Sequence, residues 1–373
     1  MRKITSFCFI LIIAQNLFAQ EPCNDEIIMA IKGKWTKKYI NNETGAQPIL
    51  RIEKMLKILQ AANPEPKGME VKFGYTTTGN PLVQNGPVQY EMTSGFFTYY
   101  CNKNVNKMLV GGETAVWFHV YANQFNKFLD EIKEYTIEDQ PVYLLRKKAG
   151  EIKGYPVYEG NYNQKTNLGT FYSRAIILTR NGQLPWLPVT KKEFLTAYIS
   201  LNEKRFQEAL RQTEKNIIVR TDEQEEEYKK QQLAKIERTT SPDKVAKARD
   251  LFLRSHIPDK QQKASDIARM KQGHEAFMNP ALLILSNGTD QALEQPAILD
   301  LTNTYQFKEF VAEEKGGMLV RLNPGYFDMK LPKYMPQFLV AYWMWDEGTS
   351  QNYWKDQIEK NFDFNALKIM IDK

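Results

Sequence analysis

The chain has 373 residues, 12% of them aromatic, and its 50 lysines and arginines barely outnumber its 44 aspartates and glutamates, giving a net charge of +6. Cations this diluted by acids, with no helix-turn-helix, zinc-finger or arginine-rich pattern, exclude nucleic acid as the expected partner. Three cysteines are too few for a disulfide-framed miniprotein, and no stretch beyond the amino terminus approaches the roughly 20 apolar residues of a transmembrane helix.

Met1-Arg2-Lys3, an apolar run over 7–18 and Ala19-Gln20-Glu21 have the shape of a secretory signal peptide (1–19) cut after Ala19. A soluble protein, secreted or periplasmic, is expected. Gln20, Glu21 and Pro22 do not make the small-residue approach to a lipidated Cys23, so a lipoprotein is not expected. The remainder is long enough for one large domain or two to three ordinary ones, at roughly 100–200 residues each. Three regions are expected: an N-terminal α+β region (20–190), a charged helical region (191–280) and a C-terminal α+β region (281–373).

A first helix is predicted over 24–39, with Ile27, Ile28, Ile31 and Trp35 on one face, and a second over 48–61, with Ile52, Met55, Leu56 and Leu59. Asn63-Pro64-Glu65-Pro66 ends it. Strands and turns follow over 69–121, including the aromatic run Phe96, Phe97, Tyr99, Tyr100 and a strand over 115–121. A short helix is predicted over 123–132. A second strand-rich stretch covers 141–179, and Asn181-Gly182 closes it like a hairpin turn. Thr190 with Glu193 makes a capping box, and 191–277 reads as helical. Within it, 223–237 is a solvated helix, Ser241-Pro242 starts a new helix and His256-Ile257-Pro258 ends it. Short strands are predicted over 281–285, 297–301 and 318–322. A turn at Asn323-Pro324-Gly325-Tyr326, a strong strand over 338–345 and a helix capped by Ser350 complete the chain. The fold class is α+β, two strand-containing regions with a substantial helical middle, the last block packing back on the first sheet.

The segment Thr179-Arg180-Asn181-Gly182-Gln183-Leu184-Pro185-Trp186-Leu187-Pro188-Val189-Thr190-Lys191-Lys192-Glu193-Phe194-Leu195 resembles a stretch of secreted proteins of Bacteroidota. So do Asn323-Pro324-Gly325-Tyr326-Phe327-Asp328, Leu331-Pro332-Lys333 and Pro336-Gln337-Phe338. The resemblance covers about a tenth of the chain. It implies an envelope location and brings no catalytic residue and no function.

The strand over 115–121 carries the sharpest candidate site. Side chains alternate across a strand, so Val116, Phe118 and Val120 share a core face while Trp117, His119 and Tyr121 share the other. An indole, an imidazole and a phenol in a row suit a sugar ring or an apolar peptide side chain. Tyr99, Trp186 and Trp343 are expected to join them. The functional expectation is a binding or structural protein for a peptide, glycan or protein partner. The alternative is a hydrolase of envelope polysaccharide or peptide, using paired carboxylates from Asp346, Glu347, Glu91 and Glu113. No cofactor or metal is expected: His274-Glu275 lacks a second histidine four residues on, where Met278 stands. His256 is expected to face the carbonyls at its helix end and His274 to pack half-buried. In an oxidising compartment Cys23 and Cys101 are expected to pair.

Overall fold

The computed structural model describes residues 24–40, 45–77, 81–102, 107–125, 128–166, 169–300 and 306–373. The expected signal peptide and Cys23 lie outside them. The chain divides into two units. The first takes the chain up to Ile132, Pro141–Pro188 and Glu313–Lys373; the second takes Lys133–Gln140 and Val189–Ala312. The fold is α+β, with strand-rich N- and C-terminal parts flanking a helical middle.

In the first unit the chain runs α1 (Asp25–Ala30), β1 (Trp35–Ile40), α2 (Ala46–Ala62), β2 (Met69–Thr77), β3 (Tyr90–Asn102), β4 (Lys107–Val110) and β5 (Trp117–Ala122). Strand β6 (Asp130–Ile137) leads into the second unit. After it come β7 (Gln140–Leu145), β8 (Lys148–Ile152), β9 (Tyr155–Glu159), β10 (Gln164–Thr166), β11 (Gly169–Thr179) and β12 (Trp186–Pro188). The chain later returns as β14 (Gly316–Leu322), β15 (Phe338–Asp346), α8 (Thr349–Asn361) and α9 (Phe364–Lys368). The main sheet has the order β1-β2-β3-β5-β15-β11-β9-β8, with β4 on β3 and β10 on β11. Three strands of a second sheet, β12-β14-β7, also belong to this unit.

The late strand β15 sits at the centre of the main sheet, paired antiparallel with β5 and β11. Its sequence, FLVAYWMWD, is apolar almost throughout, as a strand covered on both faces requires. Alternation sends Leu339, Ala341, Trp343 and Trp345 to one side, against Ile52, Leu59, Trp354, Ile358 and Phe364 of the helices. Phe338, Val340 and Tyr342 go to the other side, against Leu145, Trp186 and Val320 of the second sheet. Each such large side chain contributes about 1.5–3 kcal/mol by leaving water.

Several expectations change here. The predicted helix over 24–39 stops at Ala30, and β1 follows, parallel to β2. The break falls at Gly33, whose N–H donates to the Pro66 carbonyl at 2.7 Å and whose backbone passes so close to Met69 that a Cβ would lie 1.6 Å from its oxygen. After it, Trp-Thr-Lys-Lys-Tyr-Ile has strand propensity. The predicted helix over 123–132 is absent from its described residues, and β6 already begins at Asp130. Asn123 is left-handed (φ 57°) and its amide donates to Val88 and Met335 carbonyls, both at 3.0 Å. Asn181 and Gly182 are left-handed as well (φ 49° and 74°), but they carry the chain from β11 to β12 in the other sheet and close no hairpin.

The second unit is helical: α3 (Lys191–Asn216), α4 (Asp222–Thr239), α5 (Val245–Ser255), α6 (Asp259–Asn287) and α7 (Asp290–Leu293), with the short strand β13 (Ile298–Asp300). The capping box forms as the sequence predicts. Glu193 N–H donates to Thr190 Oγ1 at 3.1 Å, and Thr190 N–H donates to Glu193 Oε2 at 2.7 Å. A second box, Thr221 with Gln224, starts α4. The predicted strand over 281–285 is the end of α6; Ala-Leu-Leu-Ile-Leu suits either state, and a helix already running decides it. The core is aromatic: Phe194 meets Tyr135 at 5.7 Å and Phe307 at 5.3 Å, and Tyr198 stacks on Phe277.

Cys101, on β3, is disulfide-bonded, while Cys8 and Cys23 lie outside the described residues. The expected pairing of Cys23 with Cys101 thus lies outside the described residues. Among the described residues no helix is long and apolar enough to cross a membrane.

Candidate functional site

The β5 pleat builds the ring row that alternation predicts. The Trp117 and His119 rings stack at 5.9 Å and 23°, and those of His119 and Tyr121 at 5.3 Å and 13°. Gly95 pairs with Trp117 across β3. The indole lies over it so closely that a Cβ there would sit 3.0 Å from Trp117 Cζ3.

The row does not open to solvent as expected. His119 is 6% exposed and Tyr121 1%. Side chains of the second sheet cover the Tyr121 end, while helices cover the opposite face, that of Phe118 and Val120. The Trp117 N–H is used internally, donating to the Thr114 carbonyl at 2.9 Å. The buried Tyr121 hydroxyl has no hydrogen-bond partner among the described residues. Burial first, and then Glu91 and Tyr342, hold it far above the usual phenol range. His119 and Tyr121 are interior packing and leave the candidate ligand surface, while Trp117 is half-buried.

The other aromatic candidates separate. Trp343 occupies an odd position on β15, so it faces the helices; it is wholly buried and donates to Glu359 Oε1 at 3.3 Å. Tyr99 donates to Glu70 Oε1 at 2.9 Å, and burial with that carboxylate pushes its hydroxyl up to about 12. Trp186 is 3% exposed, meets Phe125 edge-on at 6.1 Å and also lines a cleft.

Of the four acids, Glu91 stands apart from Asp346 and Glu347. Glu91 is buried on β3 and pairs in register with Tyr121, which pairs with Val340. Asp346 lies six positions farther along β15, about 20 Å away at strand spacing, beyond the roughly 5–9.5 Å that glycoside hydrolysis uses. Glu113 is exposed before β5. Glu347 accepts from the Tyr172 hydroxyl at 2.8 Å. Asp346 Oδ1 accepts from Gly348 N–H at 3.1 Å, yet burial raises its carboxyl. The neighbouring Glu347 carboxylate adds to that rise, while Glu91 lies too far along the sheet to pair with it.

A cleft of about 240 Å3 opens within the first unit. Cross-strand register leads to it from the ring row: Thr93, His119, Tyr342, Ala175, Tyr158 and Lys148 follow one another across β3, β5, β15, β11, β9 and β8. His119, Tyr342 and Ala175 are buried, and the outer end, Tyr158 and Lys148, lines the cleft. Leu145, Leu184, Trp186 and Met318 add apolar wall, and Arg146, Lys147 and Glu313 add charge. Tyr342, midway along the row, donates to Asn161 Oδ1 at 3.1 Å, and burial holds its hydroxyl at about 12. Sequence reasoning named Trp186 and missed the rest. The signal was Arg146-Lys147-Lys148 directly after an apolar strand, in a chain where cations are otherwise spread among acids.

In the second unit, His256 meets Glu225 and not the helix-end carbonyls, and Arg220 donates to both Asp259 oxygens at 2.9 Å while lying 3.7 Å over the Tyr228 ring. Glu225 is thus buried within a helix expected to be solvated throughout. His274 packs flat on Phe206 at 4.0 Å and meets Glu203 at 2.8 Å. Among the described residues no group of three or more His, Cys, Asp or Glu side chains could hold a metal ion.

No family model matches this chain, and neither a curated protein nor a solved structure does.

Proposed function

We propose that this is an exported binding protein without catalytic activity, which takes one ring or side chain of a longer peptide, glycan or protein partner into the Trp186 cleft. The carrying observation is the cleft itself, where Tyr158, Trp186, Leu184 and Met318 meet Arg146, Lys147, Lys148 and Glu313. Mostly apolar walls with a few convergent polar groups are what small-ligand sites have. At about 240 Å3 it falls below the roughly 300–1,000 Å3 of pockets for drug-sized ligands. That supports one unit of a polymer as the occupant. The amino-terminal charge and apolar pattern of residues 1–19 supports export.

Leu184 provides the test, because it is 38% exposed at the cleft and a change there leaves the core intact. Peptide and glycan arrays probed with the purified protein should yield a ligand. Leu184→Arg should weaken its binding by roughly tenfold, about 1.4 kcal/mol, with an unchanged melting temperature. Equal binding by the variant would move the site elsewhere.

A further inference from the structure

We infer that the unit held in the cleft is a neutral sugar ring. This rests on the proposed reading of the cleft as a binding site and narrows its ligand class. Three cations line the cleft, but two are already matched. Arg146 donates to Asp130 Oδ2 through Nε at 3.1 Å and Nη2 at 2.6 Å, and Lys147 Nζ lies 3.4 Å from Glu159 Oε1. Lys148 and Glu313, both exposed and both lining the cleft, have no ion-pair partner among the described residues. The three cations therefore stand against three carboxylates, and the site carries no net charge.

Each ligand class meets this arrangement differently. A polyanion gains from unmatched cations, and here it would have to displace Asp130 and Glu159 from theirs. A purely apolar side chain would take water from Lys148 and Glu313 without replacing their hydrogen bonds, which is costly for charged groups. A sugar ring suits both. Each hydroxyl donates and accepts, so one ring can accept from the Lys148 ammonium and donate to the Glu313 carboxylate, and hydrogen bonds to ionised partners are the strong ones. Its C–H faces can cover Tyr158, Trp186 and Met318.

The test is calorimetric binding to the full chain of three probe sets: neutral oligosaccharides of glucose, mannose, galactose and N-acetylglucosamine, uronic-acid oligosaccharides, and extended peptides. A neutral oligosaccharide should bind, and Lys148→Ala and Glu313→Gln should each raise its Kd roughly tenfold without shifting Tm. The affinity should stay within about twofold as salt rises from about 0.05 to 0.5 M, because no net charge is being screened. Preference for uronic acids, or a steep loss with salt, would overturn the neutral class and leave the cleft reading standing. So would a peptide ligand whose binding Leu184→Arg abolishes. Binding that ignores both Leu184→Arg and the charge variants would overturn both readings, as would no binding by any probe.

Discussion

At the residue scale, the Tyr121 hydroxyl is the clearest anomaly: a fully buried polar group with no hydrogen-bond partner among the described residues. A buried donor left unmade costs about 1–3 kcal/mol, and removing it returns part of that. Tyr121→Phe is therefore expected to be neutral or to stabilise by up to about 1 kcal/mol, read as the midpoint shift in urea unfolding. A loss of more than that amount would show that the hydroxyl is satisfied. The same residue marks how far the sequence could be read. Alternation alone places Trp117, His119 and Tyr121 on one face, and their rings stack as that requires. Whether the face is open depends on β14 and β12, which reach it from residues far along the chain, and no local pattern records that. Trp343 failed similarly: its chemistry suited the ring row, but its odd position on β15 turned it to the helices.

At the element scale, local chemistry was legible wherever it was self-contained. The Thr190–Glu193 box needs only four residues, and it forms. Thr190→Ala removes the acceptor for Glu193 N–H and should cost about 1 kcal/mol, lowering the melting temperature, while Thr190→Ser should restore it. Equal stability of all three forms would mean that packing of Phe194 and Leu195, and not the cap, sets where α3 begins. Elements that depend on distant backbone were not legible. The first helix ends early because Gly33 must pass against Pro66 and Met69, a contact that periodicity in 24–39 does not reveal. The strand expected over 281–285 shows the converse. Five apolar residues have no period of their own, and α6 simply runs through them.

At the scale of the whole molecule, buried tyrosines give the protein an alkaline limit. Burial raises Tyr326 and Tyr342 in the first unit and Tyr135 in the second to about 12, against about 10 in an unfolded chain. The unfolded form therefore loses these protons first. Their contribution to stability is complete below about pH 10 and disappears as pH climbs through about 12. Phenolate absorbance from these residues should appear together with loss of near-ultraviolet circular dichroism. Full tyrosine ionisation near pH 10 in a still folded protein would contradict the burial described here.

The order of strands sets a second global property. β15 comes last in the chain among the strands but lies between β5 and β11, pairing along its length with β11 and over six positions with β5. The first unit is assembled from three separate chain segments, and its helix-side core needs Trp354, Ile358, Phe362 and Phe364, which follow β15. Without β15, the β1-β2-β3-β5 half and the β11-β9-β8 half share no neighbour, and each exposes a hydrophobic strand edge. A chain ending after Tyr326 should therefore keep secondary structure in the helical unit but lose cooperative unfolding of the sheet and bind a hydrophobic dye, as states without fixed packing do. Retention of a sharp unfolding transition reported by Trp35 and Trp117, both remote in sequence from the cut, would show that the first half of the sheet folds by itself. It would also place the nucleus of the fold in β2, β3 and β5, and not in the central strand contributed by the carboxyl-terminal segment.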